Sequence, residues 1–156
     1  MRSKTIIFTL AACFIASAIC FASHDVQMGT WKLNEAKSKL AAGTGKNLTV
    51  VYEMAGENIK VTVDGVDKDG NPTHSEWTGK FDGKDYPVTG DPTSDMRSYE
   101  EENNGQTLDL KIEKDGKTTM TGEIAVSKDG KTRTVHTKGT NAEGKKIENH
   151  AVYDKQ

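Results

Sequence analysis

The stretch Thr107-Leu108-Asp109-Leu110-Lys111-Ile112-Glu113-Lys114-Asp115-Gly116-Lys117-Thr118-Thr119-Met120-Thr121-Gly122-Glu123-Ile124-Ala125-Val126 decides the fold. Its apolar residues fall at every second position, Leu108, Leu110 and Ile112 before the turn and Met120, Ile124 and Val126 after it. In an extended chain successive side chains point to opposite faces, so this alternation describes two strands that are each apolar on one side. Between them Asp115-Gly116 supplies the positive φ that a tight hairpin requires.

The same grammar runs through the rest of the chain. Turn pairs recur at Ala55-Gly56, Asp69-Gly70, Asp82-Gly83, Asn104-Gly105, Asp129-Gly130 and Glu143-Gly144, mostly 11 to 14 residues apart, the length of one strand and one turn. Period-two runs lie between them: Leu48/Val50/Tyr52, Ile59/Val61/Val63 and Trp77/Gly79/Phe81. From residue 23 onward there are 16 Thr, whose branched Cβ favours strand over helix. The pattern predicts ten strands, at 26–33, 47–54, 58–66, 72–81, 85–89, 95–102, 106–114, 117–127, 131–139 and 145–155, with a helical turn or two at Asn34–Leu40. A meander of this kind removes its two open edges by closing on itself. The expected fold is therefore all-β, an antiparallel up-and-down barrel of about 8 to 10 strands, with a two-sheet sandwich as the alternative. Two or three large apolar residues per strand face inward, each stabilising by roughly 1.5 to 3 kcal/mol when buried, enough for one core.

The first 22 residues read differently. Arg2 and Lys4 precede an apolar run from Thr5 to Ala22, the pattern of a secretory signal peptide, and small residues at Cys20 and Ala22 put the cut before Ser23. Leu10-Ala11-Ala12-Cys13 offers a lipobox as a rival, and the run is just long enough for an uncleaved anchor. The lipobox would leave only about six apolar residues before Cys13, against a usual run of roughly 7 to 15. The expected organisation is a signal peptide at 1–22 and one domain at 23–156, periplasmic or secreted, with no membrane span after cleavage. Loss of Arg2 and Lys4 leaves 19 cations against 23 anions, so the exported domain is mildly acidic. It carries no basic stripe for nucleic acid phosphates. Both cysteines, Cys13 and Cys20, leave with the signal, and with them any disulfide or thiolate site.

Gly29-Thr30-Trp31-Lys32-Leu33 on the first strand and Val152-Tyr153-Asp154-Lys155 on the last resemble the two ends of a calycin, the superfamily of lipocalins, fatty-acid-binding proteins and avidins. More closely, residues 23–156 resemble small exported bacterial proteins described as lipocalin-like, a group that brings no activity with it. The resemblance implies that Trp31 plugs the narrow end of a barrel, that Gly29 lets the chain pass beneath it, and that Arg133 or Lys155 lies on the indole. It also implies departures. Fatty-acid-binding proteins hold a carboxylate with an Arg two residues before the terminal Tyr, where this chain has Ala151, and their helical lid is reduced here to residues 34–45.

Arg133 is the candidate replacement: it shares a strand face with Val135 and needs an anion if that face is the core, while Tyr153 on the adjoining strand offers a hydroxyl. The opposite orientation leaves Arg133 in solvent. His74 and Glu76 lie on one strand face about 7 Å apart, a spacing open to metal or acid-base chemistry, but no third partner is evident. Residues 65–76 overlay a Ca²⁺ loop imperfectly and read as a hairpin turn. His24, His136 and His150 read as surface histidines, and Tyr99-Glu100-Glu101-Glu102 as a solvated strand end. No nucleophile elbow, phosphate loop or defined carboxylate pair is present, so neither catalysis, a metal nor a cofactor is expected. The sequence points to a monomeric barrel that binds a small hydrophobic or amphiphilic molecule through Arg133 and Tyr153, with Gly29 and Trp31 structural. The alternative is a non-catalytic protein-interaction module, such as a periplasmic inhibitor or envelope component. N-terminal sequencing of protein from its native host should return Ser23-His24-Asp25; a lipid-modified Cys13 would mean a tethered protein instead.

Overall fold

The computed structural model describes residues 23–141 and 143–156. The proposed signal segment, 1–22, lies outside the described residues. Ten strands follow one another: β1 (Gly29–Leu33), β2 (Lys46–Ala55), β3 (Asn58–Val66), β4 (Pro72–Gly79), β5 (Tyr86–Thr89), β6 (Met96–Glu102), β7 (Thr107–Lys114), β8 (Lys117–Val126), β9 (Thr132–Thr140) and β10 (Lys146–Lys155). Each pairs antiparallel with the next, and β10 returns to β1, so the sheet is a closed up-and-down barrel and not a sandwich. The quoted stretch is β7 and β8, with Leu108 opposite Ile124 and Leu110 opposite Gly122.

The barrel ends are unlike. At one end a 3-10 turn at Ser23–Gln27 replaces the first residues of the strand expected from 26. Gln27 is fully buried there; its amide donates to the Gly105 carbonyl at 2.9 Å, while Trp31 Nε1 donates to the Gln27 carbonyl at 2.8 Å. These bonds fasten the chain across the end as a plug. The turns joining β2 to β3, β6 to β7 and β8 to β9 lie at this end, and both Ser23 and Lys155 leave from it. The opposite end is a mouth, edged by the half-buried apolar side chains of Leu33, Leu40, Val88 and Ile112.

Residues 34–45 do not form a lid over that mouth. Only Glu35–Lys37 is helical, a 3-10 turn capped by Asn34, whose side chain accepts from the Lys37 amide. Beyond it Lys39 exchanges backbone hydrogen bonds with His150, at 2.7 and 2.8 Å, and the Asn149 side chain accepts from the Ala41 amide at 2.7 Å. The segment is thus sewn along β10 as part of the wall.

Two kinds of glycine make closure possible. Gly29 has φ +107°, and a Cβ there would meet the Lys155 side chain at 3.2 Å. Gly122 and Gly139 sit where neighbouring strands bend together: a Cβ would lie 2.4 Å from the His136 carbonyl oxygen and 2.3 Å from that of Thr119. Their places on the apolar face therefore supply curvature and no core volume.

The core comprises Trp31, Val50, Tyr52, Ile59, Val61, Trp77, Tyr99, Leu108, Ile124 and their neighbours. Trp77 is central to an aromatic group, with Tyr99 edge-on at 4.8 Å, Tyr86 at 5.7 Å and Phe81 stacked at 6.3 Å. The thinnest wall is β5, held to β4 through Glu76↔Thr89 and Trp77↔Val88 and to β6 through Tyr86↔Arg97 and Pro87↔Met96. Trp31 is completely buried, and both suggested cations lie on its ring, Lys155 Nζ at 5.1 Å and Arg133 Cζ at 6.0 Å from the centroid. Trp31→Ala should therefore cost about 3 to 5 kcal/mol in urea unfolding; a loss under about 1 kcal/mol would show that the indole does not close the barrel.

Candidate functional site

Period two along β9 turns Arg133 and Thr137 into the barrel, and the backbone register sets Arg133 between Val126 of β8 and Tyr153 of β10. Arg133 is 3% exposed, which excludes the solvated orientation. Its Nη2 donates to the Tyr52 hydroxyl at 2.6 Å, and its guanidinium carbon lies 4.6 Å from the Tyr52 ring centroid and 5.7 Å from that of Tyr153. The cation is thus enclosed by three rings, including Trp31. None of the ion pairs among the described residues includes it, and its Nε and Nη1 are buried without a hydrogen-bond partner. A buried charge in that condition is costly, because ring faces replace only part of its hydration.

Tyr153 comes beside Arg133, but its hydroxyl points elsewhere, donating to the Asn47 carbonyl of β2 at 3.1 Å. It therefore offers Arg133 a ring face, and a hydroxyl only through its remaining lone pair. Burial pushes the phenols of both Tyr52 and Tyr153 up, against the opposing pull of the Arg133 charge, so both stay neutral donors at physiological pH.

A second interior arginine escaped the sequence reading. Arg97 of β6 is buried, its carbonyl accepts from Trp77 Nε1 at 2.9 Å, and its Nε has no partner. Its Nη2 lies 3.4 Å from Asp91 Oδ2, a long contact to a carboxylate already occupied. Asp91 accepts from the Thr93 amide at 2.8 Å, the Thr93 hydroxyl at 2.7 Å and the Ser94 hydroxyl at 2.9 Å. The clue was Tyr99: alternation puts Arg97, Tyr99 and Glu101 on one face, and Tyr99 is 3% exposed. The run Tyr99–Glu102 is consequently a solvated strand end only at Glu100 and Glu102; Tyr99 belongs to the core and Glu101 is half-buried.

Two open hollows lie away from both arginines. One, about 450 Å³, is on the outer face of β7 to β9 between Asp109, Glu123, His136 and Lys138; another, about 170 Å³, is at the rim by Ile59, Phe81 and Glu101. Between Arg97 and Arg133 stand the side chains of Tyr52 and Tyr99.

The remaining candidates separate. His74 does gain a third neighbour, which comes from β3: its Nδ1 is 2.7 Å from Asp64, its Nε2 is 3.7 Å from Glu76, and Lys60 bonds Glu76 at 2.6 Å. Among the described residues no group of three or more His, Cys, Asp or Glu is arranged to hold a metal ion. The segment resembling a Ca²⁺ loop is a hairpin turn in which Asp67 accepts from the amides of Asp69 and Asn71. His136 and His150 face each other on the outside, ring centroids 6.2 Å apart, with Glu148 2.6 Å from His136.

No protein-family model matches the chain, and no curated protein matches it. Among the solved structures similar in shape are two β-barrels. One is a redesigned β-barrel, mFAP1, bound to DFHBI, with 13% identity and a TM-score of 0.45 over 86% of this chain and all of that one. The other is EF1p2_mFAP2b bound to DFHBI, with the same identity and TM-score over 87% of this chain and all of that one. At that level of similarity neither carries an argument about a ligand. No helix among the described residues is long and apolar enough to cross a membrane.

The Asp64 hydrogen bond, aided by both acidic neighbours, holds the His74 imidazolium above its ordinary pKa. A raised value means that the imidazolium contributes stability fully below the unfolded pKa of about 6.5, and loses it as pH rises through the higher folded value. In urea unfolding, the gap between the wild type and His74→Gln should be largest in mild acid and close above the folded value; a gap that widens with pH would contradict this pairing.

Proposed function

We propose that the protein is an exported, lipocalin-like barrel that binds a small anionic amphiphile, acting by binding and not by catalysis. The observation that carries this reading is the state of Arg133, a buried guanidinium with two unpartnered nitrogens and, among the described residues, no carboxylate paired to it. An acidic ligand group supplies the missing acceptor through two parallel charge-assisted hydrogen bonds. The half-buried apolar residues of the mouth suit the tail, and the plug at the other end gives the site one direction of access. Because Tyr52 and Tyr99 fill the middle of the barrel, occupation requires these rings to move aside. Calycin membership, with Gly29-x-Trp31 as its mark, fits the same reading, as does release from the signal segment into the periplasm or medium.

The competing interaction-module reading gains less. Docking on an apolar face needs exposed apolar area, and Met54, at 51%, is the one large apolar side chain exposed among the described residues. Titration calorimetry with a medium-chain fatty acid and its methyl ester separates the two. The acid should bind and the ester should not, and Arg133→Gln should weaken the acid by about 1.5 to 3 kcal/mol. Equal affinity for both, or binding of neither, would remove Arg133 from the site and favour the interaction module.

A further inference from the structure

We propose that His136 and His150 form a two-imidazole site, on the outer face of β9 and β10, for a divalent transition-metal ion of the kind imidazole prefers: zinc, nickel or copper. The site lies outside the barrel and stands independently of the ligand reading above.

Backbone geometry brings the two rings together. His150 is the register partner of His136. In an antiparallel ladder the N–H and C=O of one residue point to the same neighbouring strand, and those of His150 both go to Lys39, at 2.8 and 2.7 Å. Toward β9 the pair is therefore of the non-hydrogen-bonded kind, in which facing side chains stand closest. The segment sewn along β10 thus sets the pair. Its ring centroids are 6.2 Å apart. A tetrahedral ion about 2.1 Å from one nitrogen of each ring would hold the centroids roughly 5 Å apart. Both side chains reach solvent, so a small rotation of either ring closes the difference.

The surroundings suit a cation. Glu148 Oε1 lies 2.6 Å from His136 Nε2, a bond that, in the neutral ring, puts the proton on Nε2 and leaves the Nδ1 lone pair free. A carboxylate on the other nitrogen is how a metal-ligating imidazole is ordinarily oriented and made more basic. The ring of His150 has no hydrogen bond among the described residues. Glu123 stands opposite His136 on β8, with Asp109 next in the row on β7; Lys138 approaches Glu148 at 3.6 Å, and Lys39 flanks His150. Three carboxylates thus outnumber two ammonium groups around the pair. No third His, Cys, Asp or Glu completes a cage among the described residues, so the ion keeps water in its other positions. Hard cations such as magnesium and calcium take oxygen ligands and gain little from two imidazoles.

The test is titration calorimetry of the purified protein with zinc chloride. Zinc should bind, and His136→Gln and His150→Gln should each weaken it by about tenfold or more. His24→Gln and His74→Gln should shift it by less than about twofold. A measurement free of variants is the NMR spectrum of the histidine ring protons, in which zinc should move the His136 and His150 signals together. Absence of zinc binding, a loss in only one of the two variants, a loss confined to His24→Gln or His74→Gln, or movement of only one ring overturns the chelate. Magnesium or calcium binding as tightly as zinc also overturns it, and assigns the cation to the carboxylates of Asp109 and Glu123.

Discussion

Hydrogen bonding of β1 to strands on both its sides is the constraint on which the rest of the structure depends. Only five residues long, it is paired through Trp31↔Lys155, Lys32↔Asp154 and Leu33↔Tyr153 on one side and through Gly29 to Lys32 on the other. Those partners come from β10 and β2, so closure joins the two ends of the chain and is entropically expensive to reach. Trp31 sits in the middle of this short strand, and its indole fixes the plug by donating to Gln27. The barrel is closed sideways and at its base by the same five residues.

That economy explains why cations gather at the base. Lys155 comes to the Trp31 ring from outside the plug because Gly29 leaves it room, and Arg133 comes from within. A ring between two cations gives each a partial counterpart without any carboxylate. For Lys155, which keeps contact with water, this suffices. For Arg133, sealed from solvent, it does not, and the shortfall in acceptors that distinguishes this interior is a consequence of how the barrel is closed.

The fold was largely legible because its signals are local. Asp-Gly turns and period-two runs located β3 and β7 to within a residue, and the meander left closure as the economical end state. What failed was long-range. Nothing in Ser23–Gln27 announces a plug, since its bond to Gly105 spans 78 residues. The stretch after β1 showed a helical turn within Asn34–Leu40, but not that Lys39 would bond to His150. At the candidate site, strand order alone set Arg133 beside Tyr153, while the alternation left open which way Arg133 faces and could not show that the Tyr153 hydroxyl goes to Asn47. Arg97 was missed because three glutamates after Tyr99 drew the whole segment toward solvent in the reading, outweighing one aromatic residue that should have set its face. The Asp64 beside His74 was invisible for a different reason, because strand register places it there.

Both described ends of the chain, Ser23 and Gln156, lie at the plugged end of the barrel. Whatever is attached to either one therefore hangs from the base, like a stem below a cup. Held by such a stem on a surface or a fusion partner, the barrel would keep its opening turned away from the support, and solutes could reach it from the free side.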